Sequence, residues 1–133
     1  MYSMKETCQI TNLSYETLKF YCNEGLVPNV KRDKNNRRIF DEKDVNWIKS
    51  LSCLKNCGMS ISEMKEFLNL CLMGESSIPQ RKVILARKRE KLLDEIKNIE
   101  GAIAYIDWKQ NFYDDVLNGK TEYFSNLIDT SRS

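Results

Sequence analysis

Thr11-Asn-Leu-Ser-Tyr-Glu-Thr-Leu-Lys-Phe-Tyr-Cys-Asn-Glu-Gly25 is the stretch that decides how this chain folds. Ser14 is well placed as an N-cap and Glu16 adds a negative charge to the first helical turn. The stretch therefore reads as a turn followed by a helix of about ten residues, closed by Gly25. Leu18, followed by Tyr21 or Cys22, gives one apolar stripe at three- and four-residue spacing. Tyr15, Thr17, Lys19 and Phe20 make a second face of hydrogen-bonding, cationic and aromatic groups. Such a face suits a DNA groove, although a solvated amphipathic helix has the same pattern. The flanking sequence separates the two.

Upstream, Ser3-Met-Lys-Glu6 is an S-x-x-E capping box, which predicts a first helix from Met4 to about Thr11. With Asn12-Leu13 as the turn and Ser14 opening the next helix, the pair is a helix-turn-helix candidate. Downstream, Leu26-Val-Pro28 forces an extended segment. From Lys31 to Arg38 five cations (Lys31, Arg32, Lys34, Arg37, Arg38) stand against one anion, Asp33, and Asn35-Asn36 suits a tight turn. The segment reads as a two-stranded hairpin with a basic tip, a wing whose cations would meet phosphates and supply salt-dependent affinity.

Asp41-Glu-Lys-Asp44 opens a third helix to about Asn56, with Trp47, Ile48, Leu51 and Leu54 in one sector of roughly 120° and Cys53 and Cys57 away from it. Gly58 stops it. Ser60-Ile-Ser-Glu63 caps a fourth helix carrying Met64, Phe67, Leu68 and Cys71 and ending at Gly74. Pro79 marks the start of a last helix from Ser77 or Ile78 to Leu117, ~60 Å long. Counting alternately four and three from Leu85 gives Leu85, Arg89, Leu92, Ile96, Ile99, Ile103, Ile106, Gln110, Tyr113 and Leu117, eight of the ten apolar. That is a coiled-coil seam.

Its polar members indicate the partner's direction. A parallel dimer would set Arg89 against Arg89, whereas an antiparallel pair centred between Ile99 and Glu100 sets Arg89 against Gln110. Arg81 to Lys91 holds six cations and one anion, and Asp94 to Asp115 holds six anions and two cations, so antiparallel pairing matches opposite charges. The expected fold class is mainly all-α: a winged helix-turn-helix followed by a long helix forming an antiparallel dimeric coiled coil. The expected division is 1–75 for DNA binding with the second helix pair, 76–118 for dimerisation, and 119–133 as a tail. Tyr123, Phe124 and Leu127 in that tail could anchor a short helix.

Bulk composition narrows the function classes. A net charge of +2 is too small to argue for nucleic acid by itself, so local clusters must carry that case. No run approaches 18 apolar residues, so no membrane span is expected, and Met1 to Glu6 has no apolar signal region. Five cysteines without a C-x-x-C pair fit reduced cytosolic thiols. Histidine is absent, which removes the usual general base and the commonest zinc ligand. Neither an enzyme, nor a metal site, nor a cofactor is expected. A second function class fits the seam alone: a protein-interaction coiled coil without specific DNA binding, which would show no salt-sensitive DNA affinity.

The order helix-turn-helix, basic wing, second helix pair and long helix resembles the MerR family of bacterial transcription regulators. Ser14-x-x-Thr17-Leu18-Lys19-Phe20-Tyr21 is similar to the family's S-x-x-T-L-R-Y-Y, and Gly25-Leu26-x-Pro28 to its G-L-x-P. Asn36-Arg37-Arg38-Ile39-Phe40 occupies the place of the wing motif G-Y-R-x-Y, matching at Arg38 and departing at Asn36, Arg37 and Phe40. The resemblance implies that Lys19 and Tyr21 contact phosphate or base edge, and that Arg32 and Arg38 hold flanking phosphates. Lys19 stands where the family has arginine, giving a point charge in place of a bidentate fork. The DNA-facing set so implied is Ser14, Tyr15, Thr17, Lys19, Tyr21, Arg32, Lys34, Arg37 and Arg38. It also implies a bacterial cytoplasmic, nucleoid-associated homodimer that distorts promoter DNA, through which RNA polymerase engages.

Cys53-Leu-Lys-Asn-Cys-Gly-Met-Ser-Ile-Ser-Glu-Met-Lys-Glu-Phe67 resembles the segment C-L-K-x-T-G-M-S-x-x-E-I-K-x-F of the aldehyde- and nitrosative-stress-responsive branch, NmlR- or AdhR-like. The resemblance makes Cys53 the candidate electrophile sensor. The metal-sensing branch places cysteines after the long helix, and none follows Cys71.

Overall fold

The computed structural model describes residues 1–131. It is mainly helical: β1 (Tyr2–Ser3), α1 (Met4–Thr11), α2 (Tyr15–Asn23), β2 (Lys31–Arg32), β3 (Arg38–Phe40), α3 (Glu42–Asn56), α4 (Ile61–Leu72), a 3-10 turn (Glu75–Ser77) and α5 (Ile78–Leu117). Its contacts divide it into two units, Met1–Glu90 and Lys91–Ser133.

The helix starts are set by side-chain caps. Ser3, Asp41 and Ser60 each accept from the backbone N–H three residues on, and Glu6, Asp44 and Glu63 reach back to the cap's own N–H. These reciprocal bonds satisfy donors that a helix start otherwise leaves open. The stops are backbone devices. At Gly25 (φ 77°) and Gly58 (φ 87°) the chain turns left-handed, and Leu26 and Met59 donate back to Tyr21 O (2.9 Å) and Leu54 O (3.2 Å). A Cβ at either glycine would meet open space, so the demand there is the backbone angle alone.

The first unit has one core: Leu18 and Tyr21 of α2, Leu26 and Val27 after it, Phe40 of β3, Val45, Ile48, Leu51 and Leu54 of α3, then Met59, Met64, Phe67 and Leu68. The α3 stripe holds as expected except that Val45 takes its inner edge, while Trp47 is only partly buried. Trp47 instead donates its indole N–H to Leu26 O at 2.7 Å, pinning the segment that leaves α2; Leu26 to Asn29 form bends and a turn there, closed by Val30 N to Val27 O at 3.5 Å, in place of the extended run expected from Pro28. Removing Phe40, which has no exposed surface, should cost about 3–5 kcal/mol as Phe40→Ala.

Two further features differ from the sequence reading. The wing has three strands, in the order β1-β3-β2, because Tyr2 and Ser3 pair antiparallel with Phe40 and Ile39 on the edge away from β2. Two residues before a helix cap carry no alternating pattern, so this strand is invisible to periodicity. The tail is the other correction: residues 119–131 form turns and bends with no helix, and Arg132 and Ser133 lie outside the described residues. Phe124, Leu127 and Ile128 are exposed there, so an amphipathic turn would gain nothing by folding.

Ser77 was not singled out by sequence, yet it has no exposed surface. Its hydroxyl donates to Gly74 O (3.0 Å) and lies against Leu70 O, while Arg81 Nε donates to it at 3.1 Å. The turn between α4 and α5 is thus tied by one small side chain.

Lys88 of α5 pairs with Glu63 at 2.6 Å, and Lys31 of β2 pairs with Asp41 at 2.9 Å. The Lys88 ammonium and the Ser60 N–H hold the Glu63 carboxyl down to about 2, and Lys31 with the Asp44 N–H does the same for Asp41, also to about 2. Both values are depressed from an unfolded value of about 4, so their stabilisation is complete above it and is lost as pH falls towards about 2. Thermal melts should therefore show Tm dropping between about pH 5 and pH 2, with a flatter drop in an Asp41→Asn, Glu63→Gln double variant. An unchanged slope in that variant would contradict the assignment.

Candidate nucleic-acid interface

α2 buries Leu18 and Tyr21 and leaves Tyr15, Lys19 and Asn23 exposed at four-residue spacing along one face. The wing stands beside it. Asp33 Oδ1 accepts from Asn35 N (2.8 Å) and Arg37 N (2.9 Å), Asn36 N donates to Asp33 O at 2.9 Å, and Asn36 takes a left-handed φ of 62°. The single anion of the basic tip is therefore spent on shaping the turn. Arg32 Nη1 donates to Asn36 O at 3.0 Å, which draws that guanidinium back over the hairpin. Lys34 and Arg37 are exposed.

Arg38 joins the two elements. It is half-buried, and its Nη2 donates to Asn23 Oδ1 at 2.7 Å, linking β3 to the last turn of α2. A guanidinium has donors to spare after one such bond, so Arg38 can hold the wing on the helix and still face a phosphate. Among the described residues the ion pairs join Lys31 to Asp41 and Asp44, Lys65 to Glu24, and Lys88 to Glu63. None of them neutralises Lys19, Arg32, Lys34, Arg37 or Arg38, so the positive charge of this surface is left for an external anion. Lys31, the fifth cation of the run, serves the fold.

Two sequence expectations change here. Tyr21 is only 2% exposed and its hydroxyl has no partner among the described residues, so in this structure it is a core residue. It shares the apolar stripe with Leu18, three residues earlier, and burial of that stripe turns it inward. Ser14 and Thr17 are engaged with each other: Ser14 Oγ accepts from Thr17 N (3.1 Å) and lies 2.9 Å from Thr17 Oγ1. Their first task is the cap.

The sequence reading placed neither Asn23 nor Lys55 on this surface. Four-residue spacing from Tyr15 and Lys19 could have flagged Asn23; nothing local could have flagged Lys55. It reaches α2 only through the fold, at a groove of about 460 Å³ lined by Glu16, Thr17, Phe20 and Tyr21 on one side and Lys55, Met59, Ser60, Ile61 and Met64 on the other. This groove accounts for Phe20, an exposed aromatic on the flank of α2 away from Tyr15. Cys53 is exposed, whereas burial pushes the Cys8 and Cys22 thiols up.

An exposed helix face tied to a basic wing is the arrangement shared by a family of DNA-binding regulators, and the family model of MerR HTH regulatory proteins matches residues 2–71. The chain belongs to the MerR family. It is a transcription regulator, not an enzyme. An uncharacterised HTH-type transcriptional regulator of Haemophilus influenzae is 32% identical over 112 residues, covering 84% of this chain and 83% of that protein. The HTH-type transcriptional regulator AdhR of Bacillus subtilis is 38% identical over 82 residues, 62% of this chain and 59% of that protein. Among solved structures, HiNmlR, a MerR family regulator lacking the sensor domain and bound to promoter DNA, superposes with a TM-score of 0.73 at 31% identity. That likeness covers 88% of this chain and 93% of the HiNmlR chain. A MerR family regulator from Bacillus thuringiensis gives a TM-score of 0.70 at 27% identity, over 84% of this chain and 98% of that one.

Substitution separates the roles on this surface. In a mobility-shift assay on the chain's own upstream promoter region, Lys19→Ala and Arg38→Ala should each weaken binding and lower the log–log salt slope by about 0.9. Asn23→Ala should weaken binding while leaving the slope nearly unchanged, since it removes a positioning bond and no charge. Equal slopes in all three variants and the native protein would contradict the assignment.

Proposed function

We propose that this MerR regulator binds promoter DNA as an antiparallel homodimer and answers aldehyde or related electrophile stress through Cys53. The DNA-facing set is Tyr15, Lys19, Arg32, Lys34, Arg37 and Arg38, with Ser14 and Thr17 at the helix N-terminus. The observation that carries it is the exposed cationic face of α2 clamped to the wing by the Arg38–Asn23 bond. Such a face approaches phosphates without first breaking an internal ion pair. Family membership supports the further reading that it distorts the promoter, by which RNA polymerase would gain indirect access.

The dimer is supported by α5, which buries none of its residues. Leu85, Ile96, Ile99, Ile103, Ile106 and Tyr113 lie 42–59% exposed along the seam and Leu92 is half-buried. Covering each should return about 1 kcal/mol. Lys88 is engaged with Glu63, and Arg81 with Ser77 and Gly74, so the basic half offers a partner Lys82, Arg87, Arg89 and Lys91. Four cations still face the acidic half.

Cys53 is favoured as the sensor by its exposure at the end of α3, one turn before the α3–α4 junction that borders the groove beside α2. An adduct there would press on the element next to the DNA-binding helix. In a formaldehyde-challenged reporter strain, Cys53→Ser should keep promoter binding and lose most of the induction, whereas Cys22→Ser should keep both. Full induction in Cys53→Ser would remove that residue as the sensor.

A further inference from the structure

The groove between α2 and the α3–α4 turn lies wholly within the first unit, and DNA binding gives it no task. Its volume of about 460 Å³ is that of a site for a small molecule. Met59 and Met64 line it and are buried, which makes its base apolar and deformable. Thioethers suit an aromatic guest, because sulfur packs well against ring edges and the unbranched side chain adapts to shape. Phe20, half in water, adds an aromatic surface and Ile61 an aliphatic one.

Two polar groups of the lining are left over. The Tyr21 hydroxyl is buried and has no partner among the described residues, so its desolvation is uncompensated. Burial also pushes its pKa up, so it stays protonated and can donate. The other hydroxyls of the groove are already used in helix caps, Thr17 Oγ1 with Ser14 and Ser60 Oγ with the Glu63 N–H. Lys55 is the second group. It is exposed, and the ion pairs among the described residues do not include it. A phenol and an ammonium on one apolar groove are donors without an acceptor, and an anionic acceptor gives both the stronger bond. Glu16 lines the α2 side and Lys55 the α3 side, so charge directs an incoming anion towards α3.

We infer that this groove binds a small aryl monocarboxylate, with its ring on Phe20, Met59 and Met64 and its carboxylate held by Lys55 and the Tyr21 hydroxyl. The two methionines are the side chains that yield to admit it. Phe20 follows Lys19 directly on α2, so the bound carboxylate adds negative charge beside the helix that approaches phosphate. At physiological salt charges interact within about 8 Å, and occupancy of the groove therefore weakens promoter binding. This site goes beyond the Cys53 reading, since it needs no thiol and forms no covalent bond.

The test titrates the full chain with phenylbutyrate and, in parallel, with the uncharged phenylbutanol, following backbone amides by NMR. The expected result is saturable shifts centred on residues 16–21 and 55–64. Lys55→Gln should weaken phenylbutyrate about tenfold and leave phenylbutanol unchanged, since it removes one bond to a charged group. No saturable shift, shifts centred elsewhere, or unchanged phenylbutyrate affinity in Lys55→Gln overturns the site. Tyr21→Phe keeps the ring and should weaken both compounds without lowering Tm; undiminished binding overturns the hydroxyl's part. Cys53→Ser should bind phenylbutyrate as the native chain does, which separates this site's failure from that of the thiol sensor. In a mobility-shift assay phenylbutyrate should weaken promoter binding and phenylbutanol should not, and equal effects would overturn the coupling to DNA.

Discussion

α5 sets the terms for the rest of the molecule: forty residues of helix, a row of isoleucines half in water, and not one residue buried. Helices of globular proteins owe most of their stability to a buried face, and this one has a face with nothing of its own chain on it. The stripe is regular over the whole length, so its cover must be equally long and equally regular. A second α5 meets that condition. In the antiparallel pair proposed above Arg89 would lie beside Gln110, whereas a parallel pair would have to desolvate two guanidinium groups against each other in one dry seam.

The first unit shows how a small domain orients a DNA-reading helix with modest means. Its thirteen-residue core places α2, and reciprocal caps at Ser3, Asp41 and Ser60 define where three helices begin. Polar side chains then set the finer angles. Arg38 to Asn23 ties the wing to α2, Lys65 to Glu24 ties α4 to the end of α2, and Lys88 to Glu63 ties α5 to the start of α4. An exposed pair such as Lys65–Glu24 contributes little to stability, so its value is angular; together the three links limit the hinges around the recognition helix.

The helices were legible in the sequence nearly to the residue, because S-x-x-E boxes, glycine stops and apolar periodicity are local signals. The hairpin was legible from Asn35-Asn36 and its flanking cations. What escaped was whatever depends on a distant neighbour. β1 exists only because β3 offers an edge, and Ser77 matters only because Leu70 and Gly74 aim carbonyls at it. Lys55 comes near α2 only through the α3–α4 turn. Tyr21 is the reverse case: its motif position suggested contact with DNA, and the apolar stripe, equally visible, puts it in the core. Charge counting along α5 likewise overstated the basic half, since Arg81 and Lys88 are already engaged within the first unit.

The central claim is that the recognition helices work as a pair whose spacing is set by antiparallel α5 helices. Its most direct measurement is disulfide trapping in a cysteine-free background, mixing a chain carrying Arg89→Cys with one carrying Gln110→Cys. The account predicts a mixed disulfide between the two chains under mild oxidation, with little product from either chain alone. Efficient self-linking of the Arg89→Cys chain would mean a parallel pair, and would contradict the account.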